Sequence, residues 1–188
     1  MPLMRPATDE DLPAVLAMNA DDVPKVAAMD RDRLAYLRAL AHRFHVVDVD
    51  GTVAGFVVTL RAGTAYDSLN YRWFADRYGD GFHYLDRIVI HPGYRRRGLA
   101  GFVYDQVEQD AAAAGRLALE VNLVPRNEPS LAFHTRRGFA PVGERGDPDH
   151  LLSMLVKPLP GTTGKGTAAG VAHSPRAGAG RGRERLWP

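Results

Sequence analysis

The chain has no cysteine among its 188 residues. Disulfide staples, thiolate metal sites and a cysteine nucleophile are therefore excluded, although this absence does not fix the compartment. No apolar run approaches the roughly 18 residues of a membrane span, and the opening MPLMRPATDEDLP carries acids where a signal peptide would be apolar. The expectation is a cytoplasmic protein with no membrane partner, monomeric or homodimeric. A strong charge of one sign is also missing. The net charge is +2, but residues 158–188 hold five Lys/Arg and one acid, so subtracting their +4 leaves −2 for residues 1–157. The folded part thus gives no broad basis for binding nucleic acid. His42-x-x-His45 belongs to no ligand set with convincing spacing, so no metal is expected.

What is present describes a globular domain, with 45% hydrophobic and 24% charged residues. PLMRPAT reads as a strand leading to an N-cap at Thr8, and Leu12, Val15 and Leu16 then lie on one helical face. Leu34, Leu37 and Leu40 predict a second helix over about 31–42. HVVDVDGTVAGFVVTL reads as two strands joined at Asp50-Gly51, a type I′ hairpin signal. RAGTAYDSLNYRWFADRYGDG is aromatic-rich without a clean period, as in a functional or locally helical loop. FHYLDRIVIHP is a strand, and GLAGFVYDQVEQDAAAAG is an amphipathic helix built on Leu99, Phe102, Val103 and Val107 and stopped by Gly115. RLALEVNLV is a strand, EPSLAFHTRRG a helix, and FAPVG and HLLSMLV the last strands. The class is α/β (α+β), in the order β-α-α-β-β-loop-β-α-β-α-β-β.

From residue 158 the composition changes, with seven glycines and four prolines in 31 residues. Such a segment buries too little surface to offset its chain entropy. The expectation is one domain over 1–157 and a disordered tail over 158–188. GTTGKGT within that tail lacks the spacing and the preceding strand of a phosphate loop.

LDRIVIHPGYRRRGLAGFVYDQV is the most informative stretch. A strand runs into a basic turn, and Gly98 opens a long helix. The first helical N–H groups have no internal partners, and the helix dipole places partial positive charge there. Gly98 admits a ligand to the backbone, Ala100 keeps the rim low, and Arg95, Arg96 and Arg97 add charge for phosphates. The plainer reading of the arginines alone is a solvated turn. The strand before them and the glycine and helix after them favour an anion site.

At this point the sequence resembles the GNAT N-acetyltransferase superfamily, and within it an uncharacterised bacterial branch. RRRGLA is similar to the Arg/Gln-x-x-Gly-x-Gly/Ala signature. NEPSLAFHTRRGF is similar to Asn-x-x-Ala-x-x-φ-Tyr-x-x-x-Gly-Phe, except that Ser130 stands for the alanine and His134 for the tyrosine. The resemblance covers all but the tail. It implies a mixed, twisted sheet of about six to seven strands flanked by helices, with acetyl-CoA as acyl donor in a splay between the central strands 82–91 and 116–123. It further implies that the main chain of Ile88, Val89 and Ile90 pairs with the pantetheine arm. The amides of Arg96, Arg97, Gly98, Leu99, Ala100 and Gly101 would hold the pyrophosphate, with Arg95 nearby. Asn127, Ser130, Phe133 and His134 would flank the donor.

Without cysteine, an acyl-cysteine intermediate is impossible, so direct transfer in a ternary complex is expected, relying on positioning and oxyanion stabilisation. Candidate bases are Glu120 and Asp86. Glu120 lies in LEV, which is similar to a strand of ribosomal-protein N-terminal acetyltransferases where a glutamate is the proposed base. A plain ion pair with Arg87 is the competing explanation of Asp86. His134 has three open roles: hydrogen-bond donor to the departing sulfur, full general acid, or inert packing.

The acceptor is expected to be a small-molecule or peptide amine. Its site would draw on Tyr66, Asp67, Asn70, Tyr71 and Trp73 from the aromatic segment, with Arg72 and Phe74 beside them. Asn122 would point to the same face as Glu120. For Trp73 and Phe74, plugging the core is an equal alternative. A different class of function is an acyl-CoA-binding regulatory module without transfer activity.

Overall fold

In the computed structural model of the chain, residues 1–160 are described. Asp50 at φ 52° and Gly51 at φ 83° are both left-handed, as a type I′ turn requires. They reverse β2 (Arg43–Val49) into β3 (Thr52–Arg61). β1 (Pro2–Pro6) adds to the outer edge of β2, and β4 (His83–Ile90) to the other side of β3, all antiparallel. β5 (Arg116–Asn122) runs parallel to β4, followed by β7 (His150–Pro158) and the edge strand β6 (Ala140–Asp147). The sheet is mixed and seven-stranded, in the order β1-β2-β3-β4-β5-β7-β6.

The helices are α1 (Leu12–Asp21), α2 (Arg31–Leu40), α3 (Leu69–Tyr78), α4 (Leu99–Ala111) and α5 (Glu128–Arg136). They divide the core in two. Val15, Leu34, Leu37 and Phe74 from α1–α3 pack with Phe56, Val58 and Tyr84. Val103, Tyr104 and Val107 from α4 pack with Val57, Leu85, Leu117 and Leu119. Each fully buried aliphatic or aromatic side chain here contributes about 1.5–3 kcal/mol.

The aromatic segment at 61–81 is locally helical. Ser68 caps α3, its hydroxyl accepting from the Tyr71 amide at 3.3 Å, and Tyr71 and Phe74 turn into the core. Past the expected domain boundary at 157, β7 runs on through Pro158, and the Leu159 amide donates to the Gly115 carbonyl at 2.9 Å. Apart from its first three residues, the predicted tail lies outside the described residues.

Two irregularities prepare the centre of the sheet. Val58 pairs with Arg87 and Thr59 with Leu85, so Asp86 is the extra residue of a β-bulge. β4 and β5 pair only at His83–Leu117 and Tyr84–Ala118. Beyond these pairs the strands separate, and the polar groups on that edge of β4 have no β5 partner.

Candidate active site

The bulge sends two successive charged side chains to the same face. Asp86 accepts from the Tyr66 hydroxyl at 2.5 Å, while Arg87 donates from Nε to Asp86 at 2.7 Å and from Nη1 to Asn19 Oδ1 at 2.8 Å. Both members of the pair are buried, with side-chain exposures of 4% for Arg87 and 5% for Asp86. Arg87 Nη1 and Asn19 Nδ2 also both donate to the Ala27 carbonyl, each at 3.1 Å. They tie the loop after α1 over the centre of the sheet. Asp86 is thus an ion-paired structural carboxylate, which narrows its expected role as base.

Glu120 is placed differently. It reaches the cavity from β5, and its carboxylate oxygens lie 2.9 and 2.8 Å from the Tyr84 hydroxyl, with Asn70 Nδ2 donating at 2.9 Å. Its enclosure by protein raises the carboxyl to about 7, against the lowering effect of the Asn70 hydrogen bond. A carboxylate poised near neutrality suits a general base.

Two cavities meet at this centre. One, of about 290 Å³, is lined by Ile88 and Ile90 of β4, by Arg95 of the turn before α4 and Ala100 in its first turn, and by Phe133 on α5. The other, of about 230 Å³, is lined by Asn70, Asp86, Glu120 and Asn122 and closed by His150 and Leu152 of β7. Ile88, Tyr104, Asn127, Ser130 and His134 line both, as do Asp22 and Lys25.

The first cavity opens toward the N-terminus of α4. Gly98 occupies the N-cap at φ 80° with no side chain to cap the helix, and Phe102 is the first residue whose amide bonds back to it. The amides of Leu99, Ala100 and Gly101 are therefore the orphan donors of this terminus. A Cβ on Gly98 or Gly101 would meet no atom within 4 Å. Open space over free amides fits a diphosphate. Arg96 holds φ 60° in the turn, and Arg97 stacks over Tyr94. Arg95 is already engaged, donating to the Ile90 carbonyl and to Asp22, both at 3.0 Å. Val89 and Leu99 are core side chains, so only their main chain can take part.

Asn127 caps α5, its side chain accepting from the Ser130 amide at 3.4 Å. His134 is 5% exposed. Its Nδ1 lies 2.7 Å from the Ser130 carbonyl and its Nε2 2.5 Å from the Tyr104 hydroxyl. A carbonyl can only accept, so Nδ1 carries the hydrogen and Nε2 accepts from Tyr104. Burial lowers the imidazole to about 4. The ring is neutral with its one N–H committed, which sets aside direct hydrogen-bond donation or acid catalysis by His134 in this arrangement.

The residues expected at the acceptor site divide. Asn70 and Asn122 line the second cavity, Asn122 donating to the Pro24 carbonyl at 3.3 Å. Tyr66 stands behind Asp86 rather than in the cavity, and Tyr71 donates to the Arg61 carbonyl at 2.7 Å from within the core. Asp67 pairs with Arg33 on the surface, and Arg72 lines a separate surface hollow with it. Phe74 is core, and Trp73 lies against Gly143 of β6, where a Cβ would come within 2.8 Å of its ring. Asp67, Tyr71, Arg72, Trp73 and Phe74 are thus not brought to the centre. Tyr84, Tyr104 and Asn19 are, and sequence reasoning missed them. The spacing of Ala100 and Tyr104, one helical turn apart on the face that runs inward from Gly98, was the signal available for one of them.

Among the described residues no helix is long and apolar enough to cross a membrane, and no cluster of three or more His, Asp or Glu could hold a metal ion. The fold recurs in Arabidopsis thaliana NAA60 in complex with acetyl-CoA, at 17% identity and TM-score 0.65, covering 85% of this chain and 100% of that one. It recurs in Chaetomium thermophilum Naa20 in complex with a bisubstrate analogue, at 19% identity and TM-score 0.64, covering 84% and 86% respectively. A third likeness is to the ribosomal-protein-S18-alanine N-acetyltransferase from Escherichia coli, at 18% identity and TM-score 0.58, covering 90% and 100%. No curated protein matches the sequence. A model described as the acetyltransferase (GNAT) family matches residues 12–139, more than half of the chain.

Proposed function

The chain belongs to the acetyltransferase (GNAT) family, and on that premise we propose that it transfers an acetyl group from acetyl-CoA to a primary amine, on a small molecule or a peptide N-terminus, directly within a ternary complex. The observation that carries this reading is the meeting of the two cavities. Free helical amides lie at the far end of one, and a carboxylate poised near neutrality lies in the other. The likeness to a protein solved with acetyl-CoA supports the choice of donor.

The amides of Leu99, Ala100 and Gly101 would bind the pyrophosphate, and the unpaired edge of β4 around Ile88 and Ile90 would hold the pantetheine arm. Acetyl-CoA brings an activated thioester, and the residues at the junction orient it. Glu120 takes the proton that the amine must lose. An α-amine with pKa about 8 arrives largely ready near neutrality, whereas a lysine-like amine near 10.4 needs about 4–5 kcal/mol more. A main-chain amide on the same edge of β4, which has no β5 partner, would donate to the thioester oxygen as charge develops there.

The second cavity also limits the acceptor. Its cations are engaged, Lys25 with Asp22 at 2.8 Å and Arg87 with Asp86 at 2.7 Å. Asn70 and Asn122 supply neutral polar contacts. Such a lining suits an amine with no carboxylate beside it. Two-substrate initial rates test the direct transfer. Intersecting reciprocal plots are expected, and parallel lines with thiol release in the absence of acceptor would contradict it.

A further inference from the structure

We infer that Tyr104, rather than His134, presents the hydroxyl that meets the departing sulfur, and that His134 is the positioning residue holding it; the inference rests on the donor site proposed above. Ala100 and Tyr104 lie four residues apart on α4 and so share one face. Ala100 lines only the donor cavity, and Tyr104, one turn further in, lines both cavities. A donor extending inward from the helix N-terminus therefore brings its sulfur end to Tyr104.

Tyr104 is 1% exposed. It is packed edge-on by Phe133 and Phe139 at centroid distances of 5.2 and 6.0 Å. The hydroxyl is consequently fixed in place. His134 holds it at 2.5 Å through an Nε2 that has no hydrogen, because Nδ1–H is committed to the Ser130 carbonyl at 2.7 Å. Of the two atoms that meet, His134 Nε2 and the Tyr104 oxygen, only the oxygen carries a hydrogen. Both residues in which the α5 stretch departs from the family pattern, Ser130 and His134, belong to this arrangement.

The chemistry follows from competition between acceptors. Before reaction, the neutral imidazole accepts the Tyr104 O–H. As the new C–N bond forms and the C–S bond breaks, the bonding pair passes to sulfur, which becomes anionic. A hydrogen bond to an anion is roughly twice as strong as one between neutral groups, so the O–H turns from Nε2 to sulfur. Tyr104 keeps its proton, the amine proton goes to Glu120, and the released thiolate is protonated by solvent. Burial lowers the imidazole to about 4 and pushes the phenol up, so neither member of the pair changes charge at neutral pH.

Calorimetric titration of the full chain with CoA and with desulfo-CoA tests this, at pH 9, where part of the CoA thiol is ionised. Wild type is expected to bind CoA at least about threefold tighter than desulfo-CoA. Tyr104→Phe should abolish that preference while leaving desulfo-CoA affinity within about twofold, which also reports an intact fold, and kcat should fall about tenfold. His134→Gln keeps an acceptor beside Tyr104 and should retain most of the preference, whereas His134→Leu should lose it. In the Tyr104→Phe background, His134→Tyr returns a phenol to within reach of the same point and should restore the preference in part. Binding of both ligands with the preference unchanged in Tyr104→Phe overturns the inference alone. Failure of wild type to bind either ligand overturns the donor reading and this inference with it.

Discussion

The Tyr84 hydroxyl straddles the carboxylate of Glu120, 2.9 Å from one oxygen and 2.8 Å from the other, across the last paired rung of the parallel strands. Below that rung β4 and β5 are a sheet, and above it they form the walls of a site. Glu120 stands where the change occurs. Its proton affinity reflects the opposition of enclosure, which favours the neutral acid, and donors from Asn70 and Tyr84, which favour the anion.

Replacement of Glu120 by glutamine therefore removes the base while preserving size and most contacts. At pH 7 kcat is expected to fall by about 10²-fold. The wild-type rate should rise with pH through an apparent pKa of about 7, and this limb should disappear in Glu120→Gln. Removing one of the donors, as in Tyr84→Phe, should move the limb to higher pH. A limb that stays in place in both variants would assign it to another group.

Gly101 lies at the third position of α4 with open space where a Cβ would stand. Gly101→Asp introduces a charge that the helix itself accepts, even favours, at its N-terminus, but it competes with a phosphate for the same amides. KM for acetyl-CoA should rise about tenfold or more with Tm nearly unchanged. A lowered Tm with unaltered KM would place the anion elsewhere.

Arg87 is buried against Asp86 and Asn19. Arg87→Met leaves a buried carboxylate without its partner, at a cost of about 3–5 kcal/mol. Pairing it with Asp86→Asn should recover a substantial part. Chemical denaturation of the two single variants and the double variant measures the coupling, and strict additivity would mean that the pair is incidental.

Four histidines resist charging. Burial lowers His83 and His134 to about 4, and lowers His42 and His45 as well. In the unfolded chain each titrates near 6.5, so this stability is present above about pH 6.5 and is lost as pH falls toward 4. By pH 5 the loss is about 2 kcal/mol for each of His83 and His134. Glu120 acts in the opposite sense: raised from 4.5 to about 7, it stabilises at low pH and loses that contribution as pH rises through 7. The histidines outnumber it, so urea unfolding should show a net loss between pH 7 and 5. His83→Phe, which also removes a buried nitrogen without a partner, should flatten that slope.

How far the sequence discloses this arrangement depends on the kind of signal. The Asp50–Gly51 hairpin and the Gly98 turn are legible because left-handed backbone leaves few residue choices. α3 is partly hidden because Tyr71, Phe74 and Tyr78 do follow a helical face but are interleaved with Trp73, which packs on the far strand β6. The bulge at Asp86 is invisible to alternation, since it consists of the failure of alternation, and it redirects Arg87 to Asn19, 68 positions away. For the same reason His134 is recognisable by position while its role is not. The decisive facts are which nitrogen faces Ser130 and that Tyr104 arrives from another helix.

The most direct measurement is thiol release from acetyl-CoA across a panel of primary amines, comparing wild type with Glu120→Gln and identifying products by mass. Expected are acetylated products, faster turnover of amines without an adjacent carboxylate than of free amino acids, and a rate reduced about 10²-fold in the variant. Tight acetyl-CoA binding with no acetylated amine anywhere in the panel would contradict catalysis and leave an acyl-CoA-binding module in its place.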